Sequence, residues 1–455
     1  MKSVTKMKMA LAVIVFVLLA GRSFAQDTTA LSGTVTLDQC IALAIKNNLQ
    51  INNNRVTADN NQVYVHEAFG NFLPTISANI NHSLSEGRVI NSVSNTYVTQ
   101  STTSAGWGLN FNEVLWNGGA IRNNYQGNKY GYEATKMDLQ TQKDNISIQV
   151  ILAYIQVLSN EEQLMVAKQS VESFRQQTDK ASKQNEQGAV SNPADLANFK
   201  GQLASAEYNV INLQKAIESS KIALVQYLNV PYTPNFDLEK IPENVEPSAY
   251  NGTPDDIYQA ALQNLSTIKS SSLKTLSALK YWKAAKGAMW PTVTFGPSAG
   301  TSFSSLGTDL QGKKVPYATQ LGNNFGSSFG VGLYIPILQG FSLSGRAKLN
   351  KIAYDQAKFN ENTNKTALQQ NIQQAYINVN SGYASYQKLL EEVTDFNEAT
   401  RIAQVRYNEG VTTVVEYIIA KTSADQAALN LVATKFDYIL RTKILDYYQG
   451  KLTFK

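Results

Sequence analysis

From residue 75 onward the chain alternates between apolar and polar positions, with Ile76, Ala78, Ile80, His82 and Leu84 on one face and Thr75, Ser77, Asn79, Asn81 and Ser83 on the other. A second run sets Ala105, Trp107, Leu109 and Phe111 against Gly106, Gly108, Asn110 and Asn112. A period of two with one apolar face predicts strands at about 75–86 and 104–114. The polar residues 86–103 between them read as a long surface loop. After Gly118 the period lengthens: Leu139, Ile146, Val150, Ala153, Val157, Leu164, Ala167, Val171 and Phe174 follow one another by threes, fours and sevens. That is a heptad stripe. A returning helix carries Leu196, Phe199, Leu203, Ala206, Val210 and Leu213. A helix running from Gly118 to Gly188 reaches roughly 100 Å at about 1.5 Å per residue, far beyond the need of a compact core.

The same pattern occurs twice. Thr36, Asp38, Ala44, Asn47, Ile51, Gly70, Pro74 and Thr75 recur 217 positions later as Thr253, Asp255, Ala261, Asn264, Ile268, Gly287, Pro291 and Thr292. Further on the offset is 222, pairing Gly118, Ala153, Tyr154, Val157 and Gly188 with Gly340, Ala375, Tyr376, Val379 and Gly410. The change of offset places five extra residues between Thr292 and Gly340, where an exposed loop absorbs them. Each half opens with a helix introduced by a cap-like Thr-x-Asp, and these helices stop near Pro74 and Pro291. Val293, Phe295, Ala299 and Phe303, then Phe329, Val331, Leu333 and Ile335, repeat the apolar strand faces. This predicts strands at about 292–304 and 327–337, with residues 304–327 as a polar loop. The expected organisation is a leader at 1–26, a first repeat at 27–229, a proline-rich linker at 230–252 and a second repeat at 253–455, with helical turns near 188 and 410.

Composition narrows the class. Lys2, Lys6 and Lys8 precede an apolar run from Ala10 to Ala20 and then Ser23, Phe24 and Ala25, the form of a secretory signal peptide. No later stretch reaches the roughly 18 apolar residues of a membrane helix. Charged residues are only 16% of the chain, and the net +5 is spread without a basic block, so no nucleic-acid footprint is present. The single cysteine, Cys40, has no intramolecular partner and sits in a helical pattern, where it reads as a small packed residue. His66 and His82 are the only histidines. Two histidines and one cysteine do not assemble an ordinary zinc or nucleophile site, and no catalytic group, cofactor or metal is expected.

Four strands with one lipid-compatible face leave open edges, and lipid tolerates backbone only in helices or closed barrels. Membrane barrels start at about eight strands, so the chain must oligomerise, and three copies supply twelve strands. The apolar face turns to lipid and the Asn/Ser/Thr/Gly face to water. At this point the residues resemble the TolC-like outer-membrane efflux and secretion channels over essentially the whole mature chain. The carriers are the duplicated order of elements, the Leu73-Pro74-Thr75 and Trp290-Pro291-Thr292 entries to the strand pairs, and the exits Leu115-Trp116-Asn117-Gly118-Gly119 and Pro336-Ile337-Leu338-Gln339-Gly340. Gln187-Gly188-Ala189-Val190 and Glu409-Gly410-Val411-Thr412 look like that family's periplasmic tips.

The resemblance implies an α plus membrane β fold. It is a trimeric channel in which each chain is a duplicated helix-strand-strand-long helix-long helix unit. A 12-stranded β-barrel in the outer membrane is continued by a helical α-barrel tunnel in the periplasm. It also implies an exit duct without catalysis, partnered as a homotrimer by a periplasmic adaptor protein, an inner-membrane transporter and outer-membrane lipid. In such channels the tips form an iris with a Tyr three positions before the second tip glycine and an acidic residue six after it; here these are Tyr407 and Glu416. The chain departs from the pattern at Thr412, where Arg is common, at Ile419, a second acidic position, and at Ala194, with Asp195 adjacent. The competing reading is an exported, non-transporting trimeric coiled-coil adhesin or envelope scaffold, which leaves the duplicated strand pairs unexplained. Trp107 is expected either in a membrane-interface girdle or packed between subunits. The residues themselves do not identify the cargo, so drug efflux and protein secretion both stay open.

Overall fold

The computed structural model describes residues 31–90, 95–186, 193–240 and 247–451. The leader at 1–26 and the tip glycine Gly188 lie outside the described residues. The short strand β1 (Gly33–Val35) leads into α1 (Leu37–Asn47) and α2 (Leu49–Gly70). Thr36 caps α1 by accepting from the Gln39 amide at 3.2 Å, while the Gln39 side chain accepts from the Thr36 amide at 3.0 Å. This reciprocal box satisfies two otherwise orphaned donors.

The single opening helix expected in each half is two helices. Asn48 takes an extended conformation and its side chain accepts from the amides of Gln50 and Ile51, which starts α2 afresh. In the second half α5 (Pro254–Asn264) and α6 (Ser266–Gly287) break at the equally extended Leu265, without a side-chain cap.

The hairpin of β2 (Thr75–Ile90) and β3 (Tyr97–Trp116) is longer than its alternation suggested. The stretch expected as a loop is paired down to Ile90 opposite Tyr97. Paired backbone needs no apolar side chains on either face, so polar residues such as Ser101 and Thr102 extend the ladder without an alternating signal.

After β3 come α3 (Ala120–Glu186) and α4 (Pro193–Leu228). The linker is not a simple tether. Its β4 (Phe236–Leu238) pairs in parallel with β1, and Phe236 and Leu238 are buried in the first core. Lys221 of α4 clamps it by donating to Phe236 O at 3.0 Å, beside Glu161 and Asp237.

The second half shows the expected strands in pieces: β5 (Thr292–Phe295), β6 (Ser298–Ser304), β7 (Gly326–Ser328) and β8 (Val331–Tyr334). Pro297, which has no amide to give, interrupts the first, although the Phe111 amide still donates to its carbonyl at 3.0 Å. Between β6 and β7, in place of a plain polar loop, α7 (Tyr317–Asn323) folds back on β6. Gln320 holds it, donating to Ser304 O at 3.0 Å and Val315 O at 2.8 Å and accepting from the Ser304 amide. Two further helices, α8 (Ser342–Asn408) and α9 (Val414–Tyr448), complete the chain.

The two offsets are physical. They carry the pair Thr75–Asn112 onto Thr292 and Tyr334, and those residues are partners. They carry Asn81–Gly106 onto Ser298 and Ser328, which are partners too. The two hairpins therefore share one register. Both long helices have 67 residues, about 100 Å at 1.5 Å per residue. Ile146, Val150 and Val157 are buried in the first core, and Leu368, Ile372 and Val379, at the corresponding positions, are buried in the second.

The sheet runs β2, then β3, then β5 with β6, then β8 with β7. On its apolar face Ile80, Trp107 and Thr301 line up across three strands. On the other, Asn79 and Asn81 stand against Gly108 and Gly106. A Cβ at either glycine would lie about 2.5 Å from the facing Asn oxygen, so the glycines make room for the amides. Among the described residues the outer edge of β2 and the outer edge of β7 and β8 pair with no strand.

Candidate functional site

The turn from α8 to α9 is built by a left-handed glycine. Gly410 has φ 70°, and the amides of Gly410 and Val411 bond back to Tyr407 O at 3.1 Å and Arg406 O at 2.9 Å. This ends α8 with its last carbonyls satisfied. Thr413 then caps α9, its hydroxyl accepting from the Glu416 amide. The Glu416 carboxylate folds back across the turn, with Oε1 2.8 Å from Arg406 Nη1 and Oε2 accepting from the Thr412 hydroxyl. The position where the family pattern has Arg is thus a hydroxyl partner, and the guanidinium comes from Arg406. Sequence reading did not single out Arg406. The available signal was the cap spacing Thr413-x-x-Glu416, which fixes the carboxylate on the first turn beside the end of α8.

Tyr407 faces the other pair of helices. Its hydroxyl donates to Asp195 Oδ2 of α4 at 3.4 Å. Its ring stacks on Tyr417 with centroids 6.0 Å apart, and fully buried Phe199 meets both rings edge-on at 5.8 Å and 6.2 Å. Burial, then the charge of Asp195 and the bond to it, push the Tyr407 phenol up to about 12. The hydroxyl therefore stays protonated and able to donate. Lys180 near the end of α3 donates to Asn408 Oδ1 at 2.7 Å, and Ser170 donates to Asp425 Oδ2 at 2.7 Å. Four helices are thus bound together at this end, which brings Asp195, Tyr407, Gly410 and Glu416 into one region. Phe199 and Tyr417, its aromatic centre, carried only a heptad signal in the sequence.

At the opposite end the helix-to-strand junctions interlock. Pro74 and Pro291 close short turns in which the Leu73 amide bonds to Gly70 O and the Trp290 amide to Gly287 O. Gly118 has φ 63°, and a Cβ there would lie 2.4 Å from Gly287 O and 2.6 Å from Trp290 Cβ. Gly287 in turn lies against Gly118 O. The two backbones pass where only glycine fits. Gly340 has the same left-handed conformation, φ 53°, but open space beside it.

The apolar sheet face is bare over Ile76, Ile80, Leu109, Val331 and Leu333, all more than half exposed. Trp107 lies on β3, which pairs with β2 on one side and β6 on the other. It packs at 5.7 Å on Tyr317 of α7, whose ring also meets Phe303 at 4.5 Å. Cys40 is fully buried and its thiol is pushed up to about 12 by burial, the state of an inert packed cysteine. His66 and His82 are both exposed and lie on different elements, α2 and β2. Among the described residues no cluster of His, Cys, Asp and Glu could hold a metal ion, and no helix is long and apolar enough to cross a membrane.

A family model described as outer membrane efflux protein matches residues 40–230 and 257–441. Outer membrane efflux protein BepC of Brucella suis is 22% identical over 436 residues, covering 93% of this chain and 89% of that protein. Outer membrane protein TolC of Salmonella enteritidis is 22% identical, covering 69% of this chain and 62% of that one. Among solved structures, the Campylobacter jejuni CmeC outer membrane channel superimposes with a TM-score of 0.75 at 19% identity, covering 91% of this chain and 86% of that chain. The open state of the Neisseria gonorrhoeae MtrE outer membrane channel gives 0.72 at 18%, covering 92% and 89%. These likenesses show a shared fold over nearly the whole chain.

Proposed function

Because the chain belongs to the outer membrane efflux protein family, we propose that it is the outer-membrane exit duct of a tripartite export system. In this reading three copies close their sheets into a 12-stranded barrel, and the long helices continue the bore through the periplasm. The helical end built around Tyr407 and Glu416 meets a periplasmic adaptor and an inner-membrane transporter, and cargo passes without chemistry on it.

The observation that carries the reading is the sheet itself. It has an apolar face bare to the outside, a face of Asn, Ser and Gly, and two open edges, at the end of helices about 100 Å long. An open edge inside lipid costs several kcal/mol per unpaired group, so ring closure between copies is the arrangement that satisfies it. The adhesin or scaffold reading does not call for a polar inner face matched strand by strand across the duplication.

Mass in mild detergent together with conductance in planar bilayers tests this. Three protomers and discrete conductance steps are expected. A monomer that still inserts, or a trimer without conductance, overturns it. Crosslinking in the envelope followed by identification of the captured transporter separates small-molecule efflux from protein secretion, for which the chain's own residues give no preference.

A further inference from the structure

The helices just beneath the sheet differ between the repeats in one respect that the fold does not ask for. The end of α6 carries Trp282, Lys283 and Lys286, and the start of α8 carries Lys348, Lys351 and Tyr354. The offsets of 217 and 222 place Val65, His66, Phe69, Gln126, Lys129 and Tyr132 at the same positions of the first repeat. Three of the four lysines therefore have no lysine counterpart, although α2 and α3 build the same helices without them. Their charge is additional to what folding needs.

These residues meet in one place. Trp282 and Tyr354 stack with ring centroids 5.9 Å apart and planes 11° apart. Lys286 Nζ from the same helix and Lys351 Nζ from the other lie 5.2 Å and 5.7 Å from the Trp282 centroid. Lys351 is paired with Asp355 at 2.7 Å, while among the described residues Lys283, Lys286 and Lys348 have no carboxylate within 4 Å. One acid against four lysines leaves a positive surface around an amphipathic aromatic pair.

The packing of α6 shows which way that surface turns. Its flank against α3 is marked by Ser277, which donates to Gly127 O at 2.7 Å, and by Tyr281, whose ring lies on Gly127. Its flank against α8 is marked by Thr275, which donates to Ala357 O at 3.2 Å, and by Trp282. At about 100° per residue the two flanks are roughly 130° apart through Ala278 and Ala285, and roughly 230° apart through Lys283. A helix in the wall of a closed tube turns its narrower sector to the axis. The alanines therefore face the bore and Lys283 faces outward, with Lys286 beside it at the border with α8. Lys286 and Lys283 lie one and four residues before Gly287, which locks against Gly118 at the foot of the sheet. Both are thus within about 6 Å of that junction along the axis. A headgroup layer is about 5–8 Å thick, and a lysine stem extends its reach further.

We propose that this patch holds the phosphate of an anionic phospholipid in the periplasm-facing leaflet of the outer membrane, so that a basic collar sets the height at which the channel sits. The lysines hold the phosphate by charge. The Trp282–Tyr354 stack fixes α6 against α8, and with it the placement of Lys286 and Lys351 beneath the headgroup. Because the first repeat is neutral at three of the four lysine positions, each chain has one such site and not two. The outward face and the leaflet are taken from the exit-duct reading, on which this site rests.

Native mass spectrometry of the delipidated protein in mild detergent tests the site, with phosphatidylglycerol and zwitterionic phosphatidylcholine as the added probes. The parent should hold phosphatidylglycerol at least fivefold more tightly than phosphatidylcholine. Lys283→Gln with Lys286→Gln, two exposed positions, should remove that preference, and Lys129→Gln in the first repeat should leave it. A trimer whose parent shows no preference, or whose double variant keeps it, overturns the site and leaves the duct standing. Loss of the preference on adding inorganic phosphate at the lipid's concentration assigns the patch to a free anion and overturns the lipid. A double variant that keeps the lipid preference and shifts the reversal potential instead turns the patch to the bore and overturns the outward face. The same spectra report the mass of the protein, and a monomer overturns the reading on which the site rests.

Discussion

Arg406 Nη1 stands 2.8 Å from Glu416 Oε1 across the turn between α8 and α9, so the acid at the expected tip position is paired within its own hairpin. Both side chains are about half exposed, and such a pair contributes no more than about 1 kcal/mol to stability. In the trimeric reading its consequence is for the field in the bore: removing either partner uncovers the other, and three copies would multiply the effect near the axis. We expect Arg406→Ala to raise cation preference by roughly twofold or more, and Glu416→Ala to lower it by a similar factor. The double variant should return close to the parent. Reversal potentials across a KCl gradient read this; a double variant as shifted as either single one would mean that the charges act separately.

The contact between Tyr407 and Asp195 predicts an alkaline effect. The folded phenol is pushed up to about 12 from its ordinary value of about 10, by burial first and then by Asp195. A group raised in the folded state contributes stability that is complete below its unfolded value and lost as pH climbs through its folded one. Tyr407→Phe should therefore cost little at neutral pH, below about 1 kcal/mol for a bond as long as 3.4 Å. Between pH 10 and about 12 the parent should lose stability relative to the variant. Paired denaturant midpoints at pH 8, 10 and 12 check the sign, and a gap that is flat with pH would place the phenol outside the buried cluster.

The alternation of Ile76 to Leu84 and the heptads after Gly118 marked the strands and long helices because each buries or presents one face, and a one-faced element leaves a period in the sequence. What had no period was not legible. The hairpin beyond residue 86 is held by backbone pairing, with the Arg88 guanidinium over the Tyr97 ring at 4.4 Å, and has no apolar alternation. Helix α7 is only seven residues long and is held by Gln320, by Tyr317 packed on Trp107 and Phe303, and by the Thr301 hydroxyl donating to Leu321 O at 2.6 Å, none of which leaves a period in the sequence. The linker strand β4 is three residues among prolines. At the tip, Tyr407 and Glu416 were legible through resemblance, whereas Arg406 was not, because its partner lies ten residues on across a turn whose geometry Gly410 sets. The breaks at Asn48 and Leu265 were missed since apolar spacing continues through them.

The junction glycines should differ sharply in tolerance. Gly118→Ala places a methyl 2.4 Å from Gly287 O in addition to the left-handed backbone cost, whereas Gly312, with φ 77°, has nothing within 4 Å. The conformational cost is about 1–2 kcal/mol for both. The clash adds to the first alone, and overpacking of this kind costs about 1–3 kcal/mol more. Gly118→Ala should lower the yield of folded protein and its unfolding temperature clearly further than Gly312→Ala. Equal losses would mean that the two backbones have room to part.

The two faces of the sheet can be told apart by one charge moved one residue. Leu109 sits between Ala78 and Ala299 on the apolar face and is 52% exposed in the single chain. Its neighbour Asn110 points to the other face, between Ser77 and Ser298, and donates to Asn79 Oδ1 at 2.9 Å. In the barrel reading the first face meets lipid, where an arginine near mid-bilayer costs roughly 2–4 kcal/mol, and the second meets water. Leu109→Arg should therefore reduce the amount of trimer in the outer membrane, while Asn110→Arg assembles normally. The added positive ring inside the barrel should then lower cation conductance. Reduced assembly for Asn110→Arg with normal assembly for Leu109→Arg would invert the faces, and equal assembly would remove lipid from the account of the apolar side.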